Sequence, residues 1–184
     1  MHIIETEIPD VKLIEPEVFG DDRGFFFESF NQQRFQDVLD LNVVTFVQDN
    51  HSRSQMGVVR GIHYQNPPFE QGKLVRVVRG EVFDVAVDLR PESIFFGKYV
   101  SALLTGDNHR QLWIPEGFGH GFLTLSDEAE FLYKTTNYYS PKHEITIAWN
   151  DPILNVEWPI DGLDISLSKK DSQGISLEEM RKYR

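Results

Sequence analysis

Phe83-Asp84-Val85-Ala86-Val87-Asp88-Leu89 carries the alternation that decides the fold: Phe83, Val85, Val87 and Leu89 share one face at period two, and Asp84 and Asp88 take the other. Just before it, Arg79-Gly80-Glu81 reads as a tight turn, so Lys73 to Val78 and Val82 to Leu89 make a hairpin. Working outward, further short strands are predicted at Val43 to Val47, Tyr99 to Leu104, Gln111 to Ile114, Phe131 to Thr135 and Ile145 to Trp149. Turn-forming stretches such as Thr105-Gly106-Asp107-Asn108, Ser126-Asp127-Glu128 and Asn150-Asp151-Pro152 separate them. Helix signals are sparse. Asn31 caps a short helix whose Phe35, Val38 and Leu39 share a face, and Ser176 with Glu179 three residues on is a capping-box pattern for a last short helix. Many short strands and few helices predict an all-β sandwich or barrel, and among these a jelly roll with a few short peripheral helices. The length, 184 residues, predicts one domain spanning 1–184.

Composition narrows the function classes. Acidic residues outnumber basic ones, 29 to 18, for a net charge of -11, which opposes binding to nucleic acid or to an anionic membrane. An anionic ligand therefore needs a local basic pocket. The chain has no cysteine, so disulfides, thiolate metal ligands and a cysteine nucleophile are out. With neither a signal-peptide pattern at Met1-His2-Ile3-Ile4 nor a long apolar run, the expectation is a cytoplasmic protein with no membrane partner.

Polar groups gather in four segments: Gln48-Asp49-Asn50-His51-Ser52, Arg60-Gly61-Ile62-His63-Tyr64-Gln65, Gln71-Gly72-Lys73-Leu74-Val75, and Pro115-Glu116-Gly117-Phe118-Gly119-His120-Gly121-Phe122. Taken alone, His63 and His120 read as hydrogen-bonded core residues, Lys73 as an exposed strand lysine and Tyr133 as a core aromatic. Their company changes that reading. The second and third segments, with the hairpin that follows to Arg90, resemble the dTDP-4-dehydrorhamnose 3,5-epimerase family. In order along the chain the same resemblance takes in Asp22-Arg23-Gly24, Gln48-Asp49-Asn50-His51-Ser52, Gln111-Leu112-Trp113-Ile114-Pro115-Glu116-Gly117-Phe118, His120-Gly121-Phe122, Tyr133-Lys134, Tyr138-Tyr139-Ser140-Pro141, Trp149-Asn150-Asp151-Pro152 and Leu167-Ser168-Lys169-Lys170-Asp171. It covers nearly the whole chain.

The resemblance implies a cupin, which agrees with the jelly roll, and an epimerase that converts dTDP-4-dehydro-6-deoxy-D-glucose to dTDP-4-dehydro-L-rhamnose by inversion at C3 and C5, without a cofactor. Most cupins hold a metal through a His-x-His pair, but here His63-Tyr64-Gln65 lacks the second ligand, so no metal is expected. The resemblance makes His63 the base, Asp171 its hydrogen-bonding partner and Tyr133 the acid on the opposite face; Asp84 is the alternative partner. Lys73, with His120, sits near the C4 oxygen. Arg23, Arg60 and Lys170 are implied contacts of the diphosphate and sugar, Gln48, Asn50 and Glu28 hydrogen-bonding partners, Tyr139 the aromatic stacked on thymine with Phe26 helping, and Glu144 a further contact. The family is dimeric and shares residues between subunits, so a homodimer is expected.

Strict alternation sets Arg60 and His63 on opposite faces of one strand, so either Gly61 marks a bulge or Arg60 reaches across a subunit boundary. Ser93-Ile94-Phe95-Phe96-Gly97 and Gly119 depart from the family pattern and leave the balance between C3 and C5 open. Three other readings stand: a single-site epimerase of a related dTDP-4-keto-6-deoxy sugar, a non-catalytic sugar-nucleotide binding cupin, and a metal-dependent cupin oxygenase.

Overall fold

The computed structural model describes residues 1–39 and 44–183. Fourteen strands are seen among them: β1 (His2–Glu5), β2 (Lys12–Glu15), β3 (Val18–Asp21), β4 (Gly24–Phe27), β5 (Gln48–Gln55), β6 (Val58–Gln65), β7 (Lys73–Arg79), β8 (Glu81–Asp88), β9 (Tyr99–Thr105), β10 (Gln111–Ile114), β11 (Phe118–Thr124), β12 (Glu128–Thr135), β13 (Glu144–Thr146) and β14 (Ser166–Leu167). The helices are short: α1 (Gln32–Leu39), α2 (Leu177–Met180) and two 3-10 turns, at Asp171–Gln173 and Arg181–Tyr183.

Two sheets face one another, with strand orders β1-β2-β10-β7-β12-β5 and β13-β6-β11-β8-β9; β14 adds to β6 in parallel, and β3 and β4 make a separate two-stranded ribbon. This is the cupin jelly roll. The hairpin predicted from Lys73 to Val78 and Val82 to Leu89 does not form: β7 lies between β10 and β12 in one sheet and β8 between β11 and β9 in the other, so the turn at Gly80 carries the chain from sheet to sheet instead of closing a ladder. Gly80 has a φ of 77°, and its place against the Glu128 carbonyl leaves no room for a Cβ. The strand expected at Val43 to Val47 is instead β5, starting at Gln48, because Val44 to Val47 carry no ladder; Val43 lies outside the described residues. Asn31 does cap α1, its Oδ1 accepting from the Arg34 amide at 3.1 Å, and Ser176 Oγ accepts from the Glu179 amide at 3.0 Å. Phe35 is buried beneath α1; the side chain of Val38 is not among those described.

Both faces of β8 are buried, which its alternation alone does not reveal. Val82 and Ala86 join Val75, Val77, Leu112, Phe118, Phe122 and Phe131 between the sheets. Val85, Val87 and Leu89 pack outward under Leu154, Trp158, Leu177 and Met180 from the C-terminal segment. The opposite outer face, around Leu74 and Trp113, is covered by Ile14 and by Phe35 of α1. Asp84 and Asp88 thus point between the sheets and are fully buried.

Candidate active site

A cavity of about 320 Å³ opens between the sheets, and most of the polar segments converge on it. Period-two alternation aims Gln48, Asn50 and Ser52 of β5, Lys73 of β7, His120 and Phe122 of β11, and Phe131, Tyr133 and Thr135 of β12 into the same space. Arg60 and His63 of β6 both line it too, within one chain. Their conflict is resolved by a bulge. On β11 His120 pairs with His63, but Phe122, two residues on, pairs with Arg60, three residues back, so β6 holds one extra residue. Gly61 absorbs it at φ 102°, with a Cβ there set 2.5 Å from the His120 carbonyl oxygen.

The bulge also builds the first of the two carboxylate–imidazole pairs at the cavity. His63 Nε2 lies 2.7 Å from Asp171 Oδ1, which accepts from the Gly61 amide at 3.1 Å as well, while Oδ2 accepts from Ser168 Oγ at 2.6 Å. Burial works against the Asp171 charge, but these hydrogen bonds outweigh it and hold the carboxyl down to about 2. His63 is pushed below its ordinary value, chiefly by burial and further by Lys170 and Lys73, against the pull of Asp171. The second pair is His120 with Asp84, Nε2 standing 2.9 and 3.1 Å from the two oxygens. Asp84 therefore faces His120, and Asp171 faces His63. Among the described residues no three His, Asp or Glu side chains group as metal ligands.

Lys73 is only 8 % exposed, and among the described residues its ammonium has neither a hydrogen bond nor an ion pair. Burial lowers it to about 8, with Glu144 and Asp84 favouring the charge and Lys170 opposing it. Tyr133 is half-buried; burial pushes its phenol up, with Arg60 pulling the other way. At the mouth, Glu144 joins Lys170 Nζ at 2.9 Å and the Tyr139 hydroxyl, which donates at 2.8 Å; these bonds overcome the effect of burial and keep Glu144 below its ordinary value. Tyr139 is half exposed, its amide held by Gln48 Oε1 at 3.0 Å. Gln48 Nε2 donates to Asn50 Oδ1 at 2.8 Å, and the buried Asn50 Nδ2 has no partner among the described residues. Arg60 is steadied by Ser54 Oγ at 2.9 Å.

Three expected contacts are not brought here within the chain. Arg23 and Phe26 ride the exposed β3–β4 hairpin, where Arg23 pairs with Asp21 and Phe26 is 71 % exposed, and Glu28 bonds Asn31 and Arg34. Conversely Ser52, Gln71, Phe122, Phe131 and Thr135 line the cavity without having been singled out. Counting by two from Asn50, His120 and Tyr133 finds four of them; Gln71 lies outside any strand and gives no such signal.

Comparison with known proteins gives a single family. The family model for dTDP-4-dehydrorhamnose 3,5-epimerase matches residues 5–179. The dTDP-4-dehydrorhamnose 3,5-epimerase of Salmonella typhimurium is 58 % identical over 179 residues, 97 % of each chain. Among solved structures, the dTDP-6-deoxy-D-glucose-3,5-epimerase of Legionella pneumophila, in complex with dTDP-4-keto-L-rhamnose, superposes with a TM-score of 0.91 at 51 % identity, covering 96 % of this chain and 93 % of that one. A 3'-monoepimerase of Streptomyces bikiniensis, in complex with dTDP-quinovose, reaches 0.90 at 30 % identity, covering 100 % and 90 %. With a match that runs over almost the whole chain, and a fold that superposes on the family's, the chain belongs to the dTDP-4-dehydrorhamnose 3,5-epimerase family.

Proposed function

We propose that this chain converts dTDP-4-dehydro-6-deoxy-D-glucose to dTDP-4-dehydro-L-rhamnose by inverting C3 and C5. The observation that carries this reading is the His63–Asp171 pair, 2.7 Å apart, on the wall of a cavity that also presents a buried Lys73 and a protonated Tyr133. Hydrogens at C3 and C5 are acidic because each flanks the C4 carbonyl, so inversion needs a base, an enolate-stabilising group and an acid on the other face, with no net redox change. His63 takes the proton; its lowered proton affinity leaves it neutral near pH 7. Asp171 stabilises the imidazolium that forms and fixes the ring. Lys73 steadies the C4 oxyanion, the more effectively for being dehydrated. Tyr133 returns a proton across the ring, completing inversion rather than exchange.

Arg60 and Lys170 supply positive charge for the diphosphate, Gln48, Asn50 and His120 hydrogen bonds, and Tyr139, anchored through Glu144, a ring for thymine. Arg23, Phe26 and Glu28 complete the nucleotide end from a second copy of the chain in a homodimer. The exposed apolar β3–β4 hairpin, with Phe19 and Phe25 beside Phe26, supports that assembly.

Likeness to the 3'-monoepimerase favours a second reading, inversion at C3 alone. Incubation with the 4-keto-6-deoxyglucose nucleotide in heavy water, using chelator-treated protein, separates the readings by NMR. Deuterium at both C3 and C5 is the expected result; label at C3 alone supports the monoepimerase, and label at neither leaves a binding module.

A further inference from the structure

The interior carboxylate of Asp84 takes no part in the reaction as described. It is fully buried behind the cavity wall, and among the described residues its hydrogen bonds all go to one group, His120 Nε2, which both oxygens share. Its neighbours on the same face of β8, Val82 and Ala86, are apolar and fully buried, so an apolar residue would suit the packing here and the charge costs the fold. The His120 ring is fixed a second time by stacking on Phe131, with centroids 5.8 Å apart at 21°. A carboxylate only accepts, so Nε2 carries the proton and Nδ1 is the nitrogen left for the cavity that His120 lines.

We propose that Asp84 is a positioning residue for the epimerisation: it locks His120 as the Nε2–H tautomer, leaving Nδ1 to accept a hydroxyl of the sugar ring, and from behind the cavity wall it adds a second negative charge to that of Glu144 near the Lys73 ammonium. An imidazole so tied donates nothing further, which leaves the C4 oxyanion to Lys73. The inference rests on the site reading given above. The charged and titratable groups that line the cavity with Lys73 are Arg60 and His63 from β6, His120 from β11, Tyr133 from β12, Glu144 from β13, Tyr139 and Lys170, and Asp84 of β8 acts on it from behind the wall. Of these, Glu144 already serves Lys170 and Tyr139, whereas among the described residues Asp84 is bonded to His120 alone.

Asp84→Asn keeps the volume, removes the charge and lets an amide donate to Nε2, which turns the tautomer over, the effect that a carboxylate-to-amide change has in a hydrolase triad. The expected result is a fall in kcat of about ten- to a thousand-fold with KM moved less than about threefold, and an alkaline limb shifted to lower pH. A folded variant with wild-type kcat, KM and pH profile overturns the proposal. Should the variant not fold, nitrogen NMR of histidine-labelled wild-type protein decides: His120 protonated on Nε2 with a bare Nδ1 supports it, and the Nδ1–H tautomer overturns it. His63→Ala separates the two levels. Turnover that persists in that variant removes the site reading and this inference together, while turnover lost there but intact in Asp84→Asn removes this inference alone.

Discussion

Lys73 is where function and stability pull against each other. Its ammonium is buried with no bonded partner among the described residues, and the fall from an ordinary 10.5 to about 8 corresponds to about 3 kcal/mol against the charged form. Because the folded value lies below the unfolded one, this penalty is complete below about pH 8 and disappears as pH rises past 10.5, where the unfolded lysine is neutral as well. Lys73→Met should therefore stabilise the protein at pH 7, by up to about 3 kcal/mol in denaturant unfolding, with the gain shrinking towards pH 10.5, while turnover falls by about a hundredfold or more. A variant that is destabilised at pH 7, or as active as wild type, contradicts this account. Lys73 and His63 together set the pH profile of kcat/KM. His63 must be neutral, so the acid limb lies below 6.5; Lys73 must be charged, so activity declines as pH rises through about 8. Tyr133, whose phenol is pushed up by burial, stays protonated throughout and adds no limb in that range. Initial rates at low substrate from pH 5 to 9 test the assignment, and activity that does not decline by pH 9 would count against Lys73.

At the scale of the element, β6 is the strand on which the site depends. One extra residue at Gly61 turns Arg60 and His63 to the same side, and the Gly61 amide donates to the carboxylate that pairs with His63. No other residue type suits this position, since φ is 102° and a Cβ would meet the His120 oxygen at 2.5 Å and the Gly121 Cα at 2.8 Å. Gly61→Ala should cost about 2 kcal/mol or more in stability and, in whatever protein folds, lower kcat sharply by misplacing His63. Unfolding curves and steady-state kinetics on one preparation test both halves. Ser176→Ala is the contrasting case: it removes the α2 cap and should cost about 1 kcal/mol with kcat and KM unchanged, because that cap touches nothing in the cavity. The bulge was legible in the sequence only as a dilemma. Alternation showed that something had to give between Arg60 and His63, and the ladder with β11 decided what gave.

For the whole molecule, the β3–β4 hairpin pairs with no other strand among the described residues and holds Phe19, Phe25 and Phe26 at 58, 63 and 71 % exposed. On the homodimer reading it delivers Arg23 to the partner's cavity, so Arg23 and His63 of one chain serve different sites. Mixing inactive Arg23→Ala and His63→Ala chains under conditions of subunit exchange should then restore up to about a quarter of wild-type activity, from the hybrid dimers that hold one intact site. No recovery, in a mixture that sedimentation shows to have exchanged, removes the shared site. The alternation in Phe83 to Leu89, the caps at Asn31 and Ser176, and the ordered motifs from Asp22 to Asp171 were enough to give the jelly roll and the family, because each rests on short-range geometry or on residue identity. What only the tertiary structure decided is which partner each charged group meets. Asp84 and Asp171 are both candidates for His63 along the chain; the facing of β8 with β11, and the packing of the C-terminal turn against the β6 bulge, give one to His120 and the other to His63. Burial of Lys73, likewise, exists only once two sheets and their covering segments exclude water from both sides of a strand, a long-range property that its neighbours in sequence do not encode.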